Sequence, residues 1–281
     1  MAVKYPDALL EVRTCCLKID PPLTTLCAGY DGSYWRHKAL ADHLFQWIPY
    51  VALSQENQLN LGSHNFLEML QLAAAHIYNT KKTKSRGELG EILLHIACIQ
   101  HFKTLPIICK LILKTSSNDT VKGFDGIHLL TNGEDIEVWL GESKFYKNPK
   151  SAIKDAVTSI KQHIAPSFLE TEKAMVFGHI AEGIPKREEV IKLFKRQTSG
   201  DELLKLSVFP VLIAYESKTV SDYDAICDEY TNCLIDEVNE LREMFNSGIS
   251  DLKLRFQLIF VPLGDKGEII KGFDKKLEAF L

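Results

Sequence analysis

The feature that most constrains this chain is residues 122–145, KGFDGIHLLTNGEDIEVWLGESKF, which have the pattern of a β-hairpin. The Asn-Gly pair at residues 132–133 is flanked by alternating apolar residues, which is typical of a two-residue type I′ turn. If this pair forms the loop, the register places Asp125 opposite Leu140. The sequence therefore predicts where the charged residues of the hairpin meet.

One face of the predicted hairpin carries two carboxylates and a lysine at one end. Side chains alternate between faces with a period of two residues, so Glu142 and Lys144 share the face of Asp125. Asp125 and Glu142 become diagonal neighbours, about 7–8 Å apart at the backbone and able to hold one cation between them. A one-residue bulge would reverse half of this assignment. The remaining residues of the face are Ile127, Leu129, Ile136 and Val138.

The apolar part of that face predicts packing against a helix rather than exposure to water. Charged groups at the end of such a face persist when they are paired or bind a metal. A structural alternative is a salt bridge between Glu142 and Lys144, two residues apart on one strand, but it leaves Asp125 without a role.

Composition excludes several classes of protein. The chain has 281 residues, 46% of them hydrophobic and 25% charged, as is ordinary for a soluble globular protein. The net charge of −4 gives no overall basic field for nucleic acid. No apolar run approaches the length of a membrane span, and no signal peptide is visible at the start, so we expect a cytoplasmic protein. Its seven cysteines, an odd number without C-x-x-C pairs, are expected to be buried free thiols.

Hydrophobic periodicity predicts alternating strands and helices, and hence an α/β sheet with helices on both faces. A boundary is predicted near residue 80. Besides the hairpin, the predicted strands are residues 9–19, 106–113, 174–180, 206–215 and 252–261. The predicted helices are residues 34–47, begun by Ser33 and ended by Pro49, and 65–78, 87–102, 151–164, 187–195, 223–245 and 268–280.

The helices on either side of the hairpin bring further polar residues toward it. Glu88, Glu91 and His95 share one flank of helix 87–102. Glu88 lies in the first helical turn, where stabilisation of the helix dipole explains it better than catalysis. Two basic segments flank these elements: the first is either a solvated connection or an edge that contacts phosphates, and the second is a basic entrance that offers a route for a phosphate backbone. Their residues are Lys81, Lys82, Lys84 and Arg86 in the first, and Lys147, Lys150 and Lys154 in the second.

These residues resemble the motifs of the PD-(D/E)xK nuclease superfamily, whose core has the order α-β-β-β-α-β. Residues 123–125, Gly-Phe-Asp, are similar to its aspartate motif, and residues 142–144, Glu-Ser-Lys, to its E-x-K motif. The spacing of Gly87 and Glu91 is similar to the first-helix motif, which favours Glu91 over Glu88. The resemblance implies a restriction-endonuclease-like core in residues 81–281 with a C-terminal α/β extension, and residues 1–80 as an N-terminal α/β segment packed on it.

The segments RGELGEILL, KGFDGIH and LGESKFYKN further resemble the HamA family, the nuclease subunits of the Hachiman anti-phage defence system. The resemblance is strongest over residues 85–165. It implies a DNA nuclease effector that works beside a superfamily 2 helicase, HamB. Two alternatives stay open: a nuclease-fold module that binds DNA or the helicase without cleaving, and a structural adaptor for the helicase.

The resemblance also implies a division of roles at the site. Hard carboxylate oxygens suit Mg²⁺, for which Mn²⁺ can substitute. Lys144 is expected to orient the attacking water or to stabilise the anionic transition state, and Gln162 to position the phosphate or Lys144. The residues expected to hold the metal are Asp125, Glu142, Glu91 and the backbone carbonyl of Ser143.

Overall fold

The structure, a computed structural model, describes residues 3–79, 86–113 and 123–281. The described strands are β1 (Glu11–Cys16), β2 (Leu23–Cys27), β3 (Tyr30–Asp31), β4 (Tyr34–Trp35), β5 (Leu105–Cys109), β6 (Gly126–Asn132), β7 (Asp135–Tyr146), β8 (Ser207–Glu216) and β9 (Arg255–Leu263).

The described residues form twelve α-helices, and a 3₁₀ turn, Lys110–Leu113, follows β5. None of these helices combines the length and the apolar character that crossing a bilayer requires. Their bounds are α1 (His37–Gln46), α2 (Ile48–Ala52), α3 (Gln55–Leu59), α4 (Phe66–Asn79), α5 (Glu88–Gln100), α6 (Pro149–His163), α7 (Pro166–Phe177), α8 (Arg187–Phe194), α9 (Gly200–Lys205), α10 (Lys218–Asp222), α11 (Asp228–Ile249) and α12 (Lys266–Ala279).

Seven of the strands form one mixed sheet in the order β1-β2-β9-β8-β7-β6-β5. Strands β7, β8, β9 and β2 run parallel, whereas β5 and β6 extend the sheet from β7 in antiparallel fashion. Strand β8 has nine buried residues out of ten, as a central strand covered on both faces must. The sheet therefore has a fully enclosed centre and a hairpin toward one edge.

Helices cover both faces of this sheet and divide the hydrophobic core into two layers. On one face, buried residues of α1, α2, α4, α5 and α12 pack together with the sheet. On the other face, α6, α7, α8 and α11 do the same. The predicted α/β fold with helices on both faces is confirmed.

The N-terminal segment contributes two strands to the same sheet. Leu23 of β2 pairs with Leu258 of β9, so β1 and β2 continue the sheet beyond β9. The domain boundary predicted near residue 80 coincides with residues 80–85, which lie outside the described residues, so it stays a prediction.

The predicted register of the central hairpin is wrong by two positions. The loop consists of Gly133 and Glu134, with Gly133 at φ 59°, whereas Asn132 and Asp135 form the last pair of the ladder. A left-handed conformation at the first loop residue is what glycine permits without strain. The Asn-Gly signal thus locates the turn, but the glycine begins the loop instead of ending it.

The face assignment survives this correction because a shift of two positions preserves the alternation of side chains. Ile127, and not Asp125, pairs with Leu140. The apolar residues predicted to share one face do pack together, and they do so against Ile153, Ala156 and Ile160 of α6. Packing of this face against a helix is confirmed.

Three other local predictions are wrong. Residues 174–180, predicted as a strand, include the end of α7, where Leu169, Glu172, Lys173 and Val176 are buried at helical spacing. Residues 34–35 form β4 instead of starting α1, and Pro49 lies in the first turn of α2, where its missing N–H has no cost. The strand predicted at residues 106–113 ends at Cys109 and turns into the 3₁₀ helix.

The seven cysteines are free thiols. Three of them, Cys27, Cys98 and Cys109, are buried as predicted. The expectation that they are all buried is wrong, since three others are exposed: Cys15, Cys227 and Cys233.

Candidate active site

Three charged residues lie in a row where β5, β6 and β7 meet. Lys110 directly follows β5, Asp125 directly precedes β6, and Glu142 lies within β7. The backbone N–H of Lys110 donates to the carbonyl of Asp125 at 3.2 Å, and the N–H of Asp125 donates to the carbonyl of Gly141 at 2.8 Å. Since Gly126 pairs with Gly141, the next pair outward is Asp125 with Glu142. The backbone ladder thus fixes the three side chains as neighbours.

These residues line a cavity of about 260 Å³. Five of the residues predicted for the site come together there, since Glu91, Asp125, Glu142, Ser143 and Lys144 all line it. Close packing of α5 on the hairpin brings Glu91 there: a Cβ at Gly141 would lie 2.7 Å from Leu94 Cδ2. The sequence therefore predicts this grouping, while the catalytic role of each member stays a prediction.

Asp125 is held by donors at both of its carboxylate oxygens. Its Oδ2 accepts from the backbone N–H of Ser143 at 2.8 Å and from Ser143 Oγ at 2.7 Å. Its Oδ1 accepts from Lys110 Nζ at 3.1 Å. Burial acts to raise the pKa of Asp125, but Lys110, Lys144 and the bonds from Ser143 outweigh it and lower the pKa below its usual value. Asp125 is therefore an ionised carboxylate at neutral pH.

Glu142 lies in a different environment. Its Oε1 accepts from Lys144 Nζ at 2.5 Å, and Lys144 also donates to Ser159 Oγ at 3.1 Å. Burial, followed by the nearby charge of Asp125, raises the pKa of Glu142 to about 7, although Lys144 acts in the opposite direction. The two carboxylates thus differ in proton affinity, as expected when like charges are buried side by side.

The second oxygen of Glu142 meets a neutral histidine. Oε2 lies 3.3 Å from Nδ1 of His163, but the two atoms form no hydrogen bond. Burial, followed by the charge of Lys110, lowers the pKa of His163 to about 4, so the imidazole is neutral at pH 7 and this contact is not an ion pair. Glu142 Oε2 is consequently a buried acceptor with no hydrogen-bond donor among the described residues.

The carboxylate oxygens at this cavity suit Mg²⁺ bound through few protein ligands. The described residues contain no group of three or more His, Cys, Asp or Glu side chains arranged to hold a metal. Mg²⁺ does not need such a group, because it is commonly bound through one or two carboxylates, with water and substrate phosphate as the other ligands. The oxygens of Asp125 and Glu142, including the buried and undonated Oε2, suit that mode of binding.

A buried acid on α7 shapes the segment that precedes Asp125. Glu172 Oε1 accepts from the backbone N–H of Phe124 at 3.2 Å. A Cβ at position 123 would lie 2.7 Å from Glu172 Oε2, so Gly123 lets the backbone approach this carboxylate. Burial raises the pKa of Glu172 to about 7. The Gly-Phe-Asp motif is therefore shaped by an element that the sequence motif does not contain.

The helix that covers the hairpin supplies residues other than the predicted one. Gln162 is exposed and does not line the cavity, so the structure does not bring it together with the other predicted residues. Ser159 and His163, one helical turn apart on α6, line the cavity instead. The signal that could have found them is the apolar stripe of α6, since Ser159 adjoins Ile160 on the side of the helix that packs on the hairpin.

The basic residues predicted to contact DNA fall into three groups. Lys81, Lys82 and Lys84 lie outside the described residues. The prediction for Arg86 is corrected, because its side chain is 1% exposed and bonds Glu88 at 2.7 Å and Asp274 at 2.5 Å. The remaining three stay candidates for phosphate contacts: Lys147 and Lys150, which are exposed and pair with Glu216 and Glu240, and the exposed Lys154. Glu88, paired with Arg86, does not line the cavity.

The pKa of Glu142 predicts a pH dependence of metal binding. Since a carboxylate must lose its proton to bind Mg²⁺, the apparent affinity should rise by about tenfold per pH unit below pH 7 and level off above it. Calorimetric titration with Mg²⁺ or Mn²⁺ between about pH 6 and about pH 8 measures this slope. The control is Glu172→Gln, because Glu172 is the other nearby acid with a raised pKa. An affinity that does not change with pH, or a slope that disappears in Glu172→Gln, would contradict the assignment to Glu142.

Comparison with known proteins gives two findings. A family model described as HamA matches residues 5–277. The chain is also similar to anti-bacteriophage protein A of Escherichia coli (strain K12), with 19% identity over 214 residues. That alignment covers 72% of this chain and 39% of the relative, so the chain spans about two fifths of the relative's length. Because the family model matches nearly the whole sequence, the chain belongs to the HamA family.

Proposed function

We propose that this chain is a metal-dependent DNA nuclease that acts in anti-phage defence together with a superfamily 2 helicase. The observation that carries the proposal is the meeting of Asp125, Glu142 and Lys144 at one cavity. The elements that bring them there follow the order α5, β5, β6, β7, α6 and β8. With the 3₁₀ turn after β5 and the helices α7, α8 and α9 left out, this order is similar to the α-β-β-β-α-β order that the resemblance to PD-(D/E)xK nucleases implies. Asp125 directly precedes the second of its strands, and Glu142 and Lys144 lie in the third.

In this proposal the residues of the site divide the work of phosphodiester hydrolysis. Asp125 and Glu142 would hold Mg²⁺, and Glu91 and the carbonyl of Ser143, which lie at the same cavity, would contact the ion directly or through water. The bound ion supplies charge stabilisation at the phosphate and a lowered pKa for the attacking water. Lys144, already fixed by Glu142 and Ser159, presents an ammonium group to the anionic transition state. Ser143 keeps Asp125 ionised and oriented through two hydrogen bonds.

The role in defence rests on family membership and on the similarity to anti-bacteriophage protein A of E. coli. The helicase partnership rests on the resemblance to Hachiman nuclease subunits and on the charge of the chain. A net charge of −4 gives no general attraction to DNA. We therefore expect the helicase to deliver the substrate, with Lys147, Lys150 and Lys154 guiding the phosphate backbone locally. Absence of a stable complex when both chains are purified together would count against this expectation.

A second candidate is a nuclease-fold module that binds DNA or the helicase without cutting. The observation in its favour is that each carboxylate already holds an ammonium group, Asp125 that of Lys110 and Glu142 that of Lys144. A purely structural network of buried ion pairs would have the same contacts. This candidate does not account for the undonated Oε2 of Glu142.

The decisive experiment is plasmid degradation by the chain together with its helicase, with Mg²⁺ or with EDTA. The wild type is compared with Lys144→Ala and with Lys161→Ala, a matched control whose lysine is 41% exposed and pairs with Asp251. We expect degradation in Mg²⁺ by the wild type and the control, and none in EDTA or with Lys144→Ala. Degradation that survives both EDTA and Lys144→Ala would overturn the mechanism, and absence of degradation by the wild type would favour the non-cleaving module.

A further inference from the structure

We propose that Lys110 occupies the cation position of this site and must leave Asp125 before a metal ion can bind. The inference deepens the proposed function, because it concerns the residue that opposes metal binding at the same carboxylates. Lys110 belongs to neither sequence motif and lies at the start of the 3₁₀ turn after β5.

The position of Lys110 is set by three hydrogen bonds. Its backbone N–H donates to the carbonyl of Asp125 at 3.2 Å. Its Nζ donates to the carbonyl of Gly123 at 3.0 Å and to Asp125 Oδ1 at 3.1 Å. The side chain is 16% exposed, so the ammonium group lies inside the cavity and is not a freely moving surface charge.

The two carboxylate oxygens of Asp125 accept from different donors, and this difference identifies Lys110 as the group that competes with a metal ion for Asp125. Oδ2 already accepts two hydrogen bonds from Ser143, both part of the local fold. Oδ1 accepts from a side chain that can move, that of Lys110. Glu142 Oε2, by contrast, accepts no hydrogen bond from the described residues. A metal ion held by Asp125 would therefore compete with the ammonium group of Lys110 at Oδ1.

The surrounding charges agree with this position. Burial acts to lower the pKa of Lys110, but Asp125, Glu91 and Glu142 outweigh it and raise the pKa above its ordinary value. The carboxylates that act on this ammonium group are the ones proposed to hold the metal. Lys110 thus neutralises the metal-free site, and a divalent cation close to it would meet strong repulsion.

Removing the Lys110 charge should therefore strengthen metal binding. Without Lys110, Asp125 keeps both hydrogen bonds from Ser143, so its carboxylate stays in place while Oδ1 loses the donor from Lys110. The site loses a competing cation and gains one net negative charge. Both Lys144 and Lys110 act to lower the pKa of Glu142, but Lys144 also donates a hydrogen bond to Glu142 Oε1, so it belongs to Glu142 as Lys110 belongs to Asp125.

The test is calorimetric titration with Mn²⁺ at about pH 8, comparing wild type, Lys110→Met, Lys110→Arg and Lys161→Met. We expect Lys110→Met to lower the Kd by about tenfold or more, and Lys110→Arg and Lys161→Met to leave it unchanged or raise it. Lys161→Met removes the same charge from an exposed position of α6. An unchanged or weaker affinity in a folded Lys110→Met would overturn the inference.

A second measurement uses the wild type and does not depend on how the variant folds. Trace acetylation followed by mass spectrometry reports the reactivity of each lysine with and without Mn²⁺. We expect Mn²⁺ to raise the reactivity of Lys110 several-fold and to leave Lys161 unchanged, whereas an unaltered Lys110 would overturn the inference. If Mn²⁺ binds and DNA is cut while Lys110 stays unreactive, the inference fails and the proposed function stands. If neither the wild type nor Lys110→Met binds Mn²⁺, both fail.

Discussion

Replacing Lys144 by methionine should lower the rate of DNA cleavage by about 10²–10³-fold, the usual loss when one group that stabilises the transition state is removed. Lys144 is 15% exposed and donates to Glu142 and Ser159, so its ammonium group is positioned before substrate arrives. Its loss also removes the charge that lowers the pKa of Glu142, and a larger fraction of Glu142 is then protonated at pH 7. Single-turnover cleavage with saturating helicase and Mg²⁺ measures the effect.

The pH dependence separates the two contributions of Lys144. Raising the pH should restore the part of the loss that comes from protonation of Glu142, and leave the part that comes from the missing ammonium group. Lys161→Met, with the same change of net charge at an exposed position, serves as the control and should cleave at the wild-type rate. A Lys144→Met protein that cleaves within a few-fold of the wild type would exclude Lys144 from the reaction.

The sequence predicts the charged face of the hairpin because an error of two positions in the register does not change which side chains share a face. Moving the loop from residues 132–133 to Gly133 and Glu134 shifts the pairing by two positions and leaves Asp125, Glu142 and Lys144 on one face. The Asn-Gly pair locates the turn but does not specify whether the glycine is the first or the second residue of the loop. The grouping of the motif residues was therefore predictable, and the pairing of Asp125 with Glu142 across the ladder was not.

Other parts of the site depend on contacts that local patterns do not encode. Lys110 reaches Asp125 because Cys109 pairs with Gly126 across a bulged ladder. The sequence of residues 114–122, KTSSNDTVK, is typical of a loop, but a loop of this length does not fix the register of the strands on either side. Glu172 reaches Phe124 from α7, whose end the apolar residues 174–177 falsely suggested to be a strand. Gln162 does not reach the cavity, because the side of α6 that packs on the hairpin carries its neighbours Ser159 and His163 instead.

Asp125→Asn should abolish cleavage and also destabilise the fold by about 3–5 kcal/mol, the usual cost of removing one partner from a buried ion pair. The side chains of Asp125 and Lys110 are 10% and 16% exposed, so the substitution leaves the ammonium group of Lys110 without its carboxylate partner at a poorly solvated position. Asparagine retains an oxygen that can accept from Ser143, so most of the loss comes from the missing charge. Urea unfolding of the metal-free protein measures the change in the free energy of unfolding.

The double variant Asp125→Asn/Lys110→Met distinguishes a structural ion pair from a catalytic carboxylate. It removes both charges of the pair, so it should recover at least about half of the lost stability, because it no longer leaves a buried charge unpaired. It should recover no cleavage, because the carboxylate that binds the metal is still missing. Recovery of cleavage along with stability would mean that Asp125 serves only to pair Lys110. If the double variant is instead as unstable as the single one, the Asp125–Lys110 pair is not what stabilises this end of the sheet, and the hydrogen bonds from Ser143 must supply that stability.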